Sequence, residues 1–161
     1  MAKRDFLCNI IFNVLSRGLC VLNKKDSIIR QEFNALPDNY TISLGILPVG
    51  DYIYLLKRDG KLFISKDFSD KVDLAITFKN AKNTRKVMLA RSSVAESFCR
   101  HDLLVSGDIA EAMGLVRVIN RAEKYLFPHF MTKRFLPKIK KEYSSIFLYF
   151  RILFGRFKYK D

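Results

Sequence analysis

The sequence predicts an α+β domain in which a five-stranded, mainly antiparallel sheet is covered on one face by helices. Three observations predict this class. Alternating apolar residues mark short strands, apolar residues at helical spacing mark helices before and after those strands, and capping residues mark where helices begin. The 161 residues are 49% apolar and 28% charged, which suits one folded domain with a sizeable core.

The first predicted element is a helix over residues 5–22, where apolar residues recur at i, i+3, i+4 and i+7. We interpret residues 1–25 as an amphipathic N-terminal helix that packs on the domain. Polar residues interrupt the apolar run and Arg17-Gly18-Leu19 is no small-residue cleavage site, so we expect the helix to be retained. The three cysteines lack close spacing, which indicates free thiols and a cytoplasmic location.

A second helix is predicted from the Asp26 cap to Leu36, where Pro37 ends it. Strands follow, because apolar and polar residues alternate with the period of two that a half-buried strand requires. Asp59-Gly60 is a hairpin signal between two of them. The predicted strands are 41–47, 52–57, 62–65, 72–78 and 103–106.

Two helices are predicted between the fourth and fifth strands. One follows Asn80 and reaches about Ala90. The other begins at Ser93, because Ser93-Val94-Ala95-Glu96 has the form of a capping box.

The last predicted helix of the domain begins after Gly107-Asp108 and ends at Leu126, before Pro128. It is apolar nearly all round, so it must be covered on both sides or must cover something that is not protein. Two interpretations remain open at this point. The helix is either an ordinary core helix or one wall of an apolar cavity, with Met113 as an adaptable lining residue.

Three segments of the chain together resemble the sterol carrier protein type 2 family. They are the strand 72–78, the segment 93–98, and Leu103-Leu104-Val105-Ser106-Gly107-Asp108 leading into Ala112-Met113. The resemblance covers roughly residues 26–127, in a bacterial-type single-domain form. It implies a small non-enzymatic domain, without a cofactor, that encloses an apolar cavity between sheet and helices. Such domains accept acyl chains, sterols or isoprenoid and quinone precursors.

The cavity wall is predicted from the apolar faces of the strands and of the last helix. For each residue, an ordinary core position is at least as consistent with the pattern as contact with a lipid. The predicted lipid-binding residues are Ile42, Leu44, Ile46, Leu74, Ile76, Phe78, Met88, Phe98, Leu104, Met113 and Val116.

Residues 128–161 form a basic, aromatic-rich C-terminal extension with nine Lys and Arg against two acidic residues. The apolar run Ile146–Phe150 is too short to span a bilayer, which takes about 20 residues. We expect a helical extension that docks on an anionic membrane, or that packs on the domain or in a homodimer. The predicted membrane-docking residues are Lys133, Arg134, Lys138, Lys140, Lys141, Phe147, Phe150, Arg151, Phe154 and Arg156.

Two other classes of function compete with lipid binding. The net charge of +13 also suits a nucleic-acid-binding or protein-interaction module, but the sequence has no RNP-like, KH, zinc-finger or P-loop pattern, so no nucleic acid is expected. An enzyme is disfavoured because His101 and His129 are the only histidines and have no metal-ligand spacing. Cys99, His101 and Asp102 adjoin in sequence, whereas catalytic partners normally converge from distant segments.

Overall fold

The structure is a computed structural model that describes residues 6–48, 52–65, 71–89, 91–92, 94–128 and 139–157. Within these residues it has six helices and five strands. The helices are α1 (Phe6–Lys25), α2 (Ser27–Asn34), α3 (Ala81–Met88), α4 (Val94–Cys99), α5 (Ile109–Leu126) and α6 (Ser145–Phe154). The strands are β1 (Tyr40–Ile46), β2 (Ile53–Arg58), β3 (Lys61–Ser65), β4 (Leu74–Phe78) and β5 (Leu103–Ser106).

The five strands form one sheet in the order β3-β2-β1-β4-β5. The β1–β4 pair is parallel and the other three pairs are antiparallel. The predicted α+β class with a mainly antiparallel sheet is therefore confirmed. The central strand β1 is buried along its whole length, which places the middle of the core against it.

Helix α1 packs against the sheet, against α2 and α5, and against α6. Its apolar stripe is buried, including Phe12, Leu15, Leu19 and Leu22. The Phe12 ring meets the Phe78 ring of β4 at 6.4 Å between centroids. Among the described residues, α1 alone is long and apolar enough to cross a membrane, but 56% of its apolar window is buried inside the domain. A core helix passes the same length and composition test.

Most predicted boundaries lie within two residues of those in the structure. Helix α1 continues past residue 22 to Lys25, and β4 begins at Leu74, two residues later than predicted. Asp73, the residue before β4, is bonded to β1 through both its main chain and its side chain. Its amide donates to the Thr41 carbonyl at 3.0 Å, and its carboxylate accepts from the Thr41 amide at 2.9 Å. The capping-box residue Ser93 lies outside the described residues.

The turn between β5 and α5 depends on Gly107 and Asp108, as predicted. Gly107 has φ +118°, and a Cβ there would lie 2.5 Å from the Asp73 carbonyl oxygen. No side chain fits in that space. Asp108 caps α5, because its carboxylate accepts from the amides of Ala110 at 2.8 Å and Glu111 at 3.0 Å.

Replacing Gly107 with alanine is expected to lower the free energy of unfolding by about 2 kcal/mol or more, through a disfavoured backbone conformation and a contact with fixed backbone. Gly114→Ala is the matched control. A Cβ at Gly114 meets only the ends of two movable side chains, the Glu32 carboxylate at 3.1 Å and Arg117 Nη2 at 3.6 Å. Removing a mid-helix glycine stabilises a helix by up to about 1 kcal/mol. Denaturant unfolding of both variants checks the prediction. Equal effects would contradict it.

Candidate functional site

The interior of the domain is an apolar layer between the sheet and the helices. On the sheet side, parallel register puts Ile42 beside Leu74, Leu44 beside Ile76 and Ile46 beside Phe78. All six side chains are at most 1% exposed. These six predicted lipid-binding residues therefore form one continuous apolar surface across β1 and β4.

The helical side of this layer comes mainly from α1 and α5. Helix α5 contributes Leu115, Val116, Ile119 and Ala122, all buried. Met88, at the end of α3, is also buried. The predicted wall residues Met88 and Val116 thus belong to the same hydrophobic cluster as the six on the sheet.

Three predicted wall residues lie on the surface instead. Phe98 of α4, Leu104 of β5 and Met113 of α5 are each 47–48% exposed. Leu104 pairs with Thr77, so it points to the opposite face of the sheet from Leu103. Such residues could meet a ligand only at the outside of the domain.

A groove lies between α2 and α5 on the surface of the domain. Its volume is about 200 Å³. The lining is mostly apolar, with Phe33 and Leu36 on the α2 side and Leu115 and Val118 on the α5 side. Gly114 leaves space at the groove because it carries no side chain.

An ion pair bridges this groove from one helix to the other. Arg117 donates to Glu32 through Nε at 2.7 Å and through Nη2 at 2.9 Å. These hydrogen bonds lower the pKa of the Glu32 carboxyl. A second link lies nearby, where the Tyr40 hydroxyl donates to Glu111. Burial of the phenol raises the pKa of Tyr40 most, and the hydrogen bond to Glu111 raises it further.

A buried polar cluster joins α2 to α5. The Asp26 carboxylate, fully buried, caps α2 by accepting from the amides of Ile28 and Ile29 at 3.1 Å. It also accepts from Arg121 Nε at 2.8 Å and from the Tyr125 hydroxyl at 2.6 Å. Burial opposes the charge, but the bonds from Arg121, Tyr125 and Ile29 outweigh it and lower the pKa of Asp26.

The same cluster holds the start of the described C-terminal segment. Glu142 accepts from the amide and the hydroxyl of Ser27 at 2.8 and 2.6 Å, and its own amide donates to the Tyr125 hydroxyl at 2.8 Å. Arg121 Nη2 lies 3.8 Å from Glu142 Oε1. We call Asp26, Ser27, Arg121, Tyr125 and Glu142 the clamp.

Glu123 of α5 is a buried carboxyl that forms no ion pair with any of the described residues. Its side chain lies in the core at 3% exposure, and Oε1 has no hydrogen-bond partner among the described residues. Burial raises the pKa of Glu123 to about 8. The group is therefore mainly protonated at neutral pH.

The predicted membrane-docking residues divide into two groups. Lys133, Arg134 and Lys138 lie outside the described residues. The other seven are exposed, on α6 or next to it. They are Lys140, Lys141, Phe147, Phe150, Arg151, Phe154 and Arg156.

The residues considered as a catalytic group lie at the end of α4. Cys99 and His101 are exposed, and the Asp102 carboxylate accepts instead from Asn83 at 2.6 Å and lies 3.6 Å from Arg100 Nε. In the part of the chain that the structure describes, no three His, Cys, Asp or Glu side chains are grouped to hold a metal ion.

The clamp and Glu123 were not predicted from the sequence. One signal was available for the clamp, because Arg121 and Tyr125 are four residues apart and so share one face of α5. Their partners come from segments 95 and 17 residues away, which no local pattern indicates. For Glu123, the signal is its helical position, because it lies four residues after Ile119 and three before Leu126, on an apolar face of α5.

The fold of this chain was compared with those of known proteins, and it is similar to several solved structures. No protein-family model matches the sequence, and no curated protein matches it. The apo form of sterol carrier protein 2 from Yarrowia lipolytica is 15% identical and matches 76% of this chain and 96% of its own, with a TM-score of 0.53.

Two further structures were found with lower scores. A ubiquinone synthesis protein, UbiJ-SCP2, is 14% identical over 63% of this chain and 89% of its own, with a TM-score of 0.48. A conserved hypothetical protein from Thermus thermophilus, described as possibly a sterol carrier protein, is 17% identical over 67% of this chain and 85% of its own, with a TM-score of 0.44. The likeness to the Yarrowia protein confirms the resemblance seen in the sequence at the level of the fold.

Proposed function

From the sterol carrier protein 2 fold of this chain, we propose that it is a non-enzymatic lipid-binding protein that carries a long apolar ligand. The ligand lies between the sheet and helices α1 and α5. The observation that carries this proposal is the continuous apolar layer on β1 and β4, next to a groove that opens between α2 and α5. An acyl chain, an isoprenoid or quinone precursor, or a sterol-like lipid has the apolar chemistry that this layer requires. A cytoplasmic location remains part of the proposal.

Burial of hydrocarbon alone supplies enough free energy for such binding. Each methylene transferred from water gains about 0.8 kcal/mol, so a long chain gains on the order of 10 kcal/mol before the costs of association. No polar anchor is required. Selectivity would then depend on chain length and on the shape of the space.

Access to the interior requires a movement of α2 relative to α5. The groove of about 200 Å³ is smaller than the roughly 300–1,000 Å³ of typical ligand sites. The Glu32–Arg117 pair holds the two helices together across it. The pair is partly exposed, so it contributes at most about 1 kcal/mol and can open readily. We infer that it acts as a latch at the entrance.

Replacing Gly114 with leucine is expected to block uptake, because the new side chain would occupy the groove between α2 and α5. Uptake of a fluorescent fatty acid or prenol should fall about tenfold or more, which corresponds to about 1.4 kcal/mol of lost binding. Gly114→Ala is the control, since its methyl group leaves most of the groove open. Thermal unfolding of both variants establishes that they are folded. Equal uptake by the leucine and alanine variants would contradict entry through this groove.

A further inference from the structure

Helix α6 is fixed to the domain along one narrow stripe. Leu148 and Ile152 are buried, and a Cβ at Gly18 of α1 would lie 3.6 Å from Ile152 Cδ1. Arg17 donates to the Ile152 carbonyl at 2.9 Å. The helix is therefore held against α1 through main-chain and side-chain contacts together.

The residues just before and just after α6 are also bonded to the domain. Before the helix, Glu142 belongs to the clamp. After it, the amide of Ile64 on the edge strand β3 donates to the Phe157 carbonyl at 2.8 Å. The Tyr149 hydroxyl donates to the Leu126 carbonyl at the end of α5. The orientation of α6 on the domain is thus determined, and so is the face that it turns outward.

The outward face of α6 is apolar, which is the reverse of an ordinary surface helix. Its five most exposed apolar side chains are 65–79% exposed. They are Ile146, Phe147, Phe150, Leu153 and Phe154. A contiguous apolar patch of this kind marks an interaction surface.

A second groove lies beside this face, between α6 and the C-terminal end of α1. Its volume is about 270 Å³. The apolar part of its lining comes from Cys20 and Val21, which are buried, and from Phe150, Phe154 and Phe157. The groove therefore suits a chain of hydrocarbon.

Three cations also line this groove: Lys24, Arg151 and Arg156. Within the described residues, none of the three has an ion pair with a carboxylate. An occupant that satisfies the groove must have both an apolar part and an anionic group. A lipid with an anionic headgroup has this chemistry.

Charge favours a membrane over the other partners that could cover an apolar face. A second copy of the chain would bring two molecules of net charge +13 together. A single-stranded nucleic acid would satisfy the cations, but it would leave Ile146 and Leu153 against water. An anionic bilayer satisfies both the cations and the exposed apolar face, since basic and aromatic residues together are typical of interfacial helices.

We infer that the groove between α1 and α6 binds an acyl chain of an anionic phospholipid, whose phosphate is held by Lys24, Arg151 and Arg156, while the outward face of α6 lies in the membrane interface. This site is separate from the layer between sheet and helices. It does not depend on the proposed carrier function, and the two can fail independently.

Flotation of the full-length protein with vesicles tests the charge requirement. The vesicles are phosphatidylcholine with or without phosphatidylserine, at physiological ionic strength. The protein should bind the anionic vesicles at least about tenfold more tightly. The triple variant Lys24→Gln, Arg151→Gln, Arg156→Gln should lose this preference. The matched control is the triple variant Lys79→Gln, Lys82→Gln, Lys86→Gln, which removes the same charge from exposed lysines next to and on α3 and should change binding less than about twofold.

The fluorescence of single tryptophan substitutions tests which face enters the membrane. The wild-type chain contains no tryptophan, so the emission comes from the introduced residue alone. In Phe147→Trp the emission should shift to the blue on addition of phosphatidylserine vesicles. In Phe98→Trp, on the exposed surface of α4, it should not. The inference is overturned if the two triple variants bind vesicles equally, if only Phe98→Trp responds, or if the protein binds single-stranded RNA and no vesicles.

Discussion

Replacing Asp26 with asparagine is expected to lower the free energy of unfolding by about 3 kcal/mol, because the largely buried Arg121 would lose its hydrogen-bonded charge partner and keep only the more distant Glu142, at 3.8 Å. The Arg121 side chain is 12% exposed and that of Asp26 is fully buried, so water cannot replace the lost interaction. Denaturant unfolding measures the change.

A carboxylate on the same helix provides the matched control. Glu32→Gln breaks the partly exposed pair with Arg117 and should cost less than about 1 kcal/mol. Hydrogen exchange gives a second readout, because the clamp holds Glu142. In Asp26→Asn the amides of residues 139–157 should lose protection before those of the sheet. If both variants lose equal stability and the segment keeps its protection, the clamp does not have this role.

The clamp should also affect how the free energy of unfolding depends on pH in acid. The folded pKa of Asp26 lies below its ordinary value of 3.8, so its contribution is fully present above that pH. It is lost as the pH falls through the folded pKa. The difference between wild type and Asp26→Asn should therefore shrink below about pH 4. A difference that persists unchanged in acid would contradict this explanation.

Glu123→Gln is expected to stabilise the protein, and increasingly so as the pH rises. Burial raises the folded pKa of Glu123 from 4.5 to about 8, so the folded state binds the proton more tightly than the unfolded chain does. Wild-type stability therefore falls with pH between these values, by up to about 1.4 kcal/mol per pH unit. Glutamine does not titrate and avoids this loss. The total gain above pH 8 is on the order of several kcal/mol.

Unfolding curves at several pH values test this prediction. Glu96→Gln is the control, because Glu96 is exposed and pairs with Arg100 on the surface. Its effect should stay nearly constant between about pH 5 and pH 8. If the difference between wild type and Glu123→Gln is also constant over that range, Glu123 is not buried as a neutral acid.

Local signals explain why so much of the fold was predictable. The caps at Asp26 and Asp108 depend on a carboxylate and amides two or three residues later, and both are present in the structure. The strand alternation of Ile42, Leu44 and Ile46 likewise corresponds to the buried face of β1. Such features are encoded within a few residues of each other.

Positions that depend on tertiary partners were not predictable in the same way. Asp26 was recognised as a cap, but its bonds to Arg121 and Tyr125 join residues 95 and 99 positions apart. Leu104 and Met113 are apolar like their neighbours, and only the placement of β5 and α5 decides that both are half exposed. The sequence pattern likewise left open where the C-terminal extension would lie. In the structure, Leu148 and Ile152 pack α6 on α1, and its exposed apolar face remains free for the membrane surface that we infer.

The central claim is that the domain holds a long apolar molecule, and the mass of the purified complex tests it most directly. Native mass spectrometry of protein purified without added lipid should show a component heavier than the 18.8 kDa chain, which releases an acyl, isoprenoid or sterol-like compound on extraction. The bare chain alone, together with no uptake of a fluorescent fatty acid or prenol, would contradict the claim.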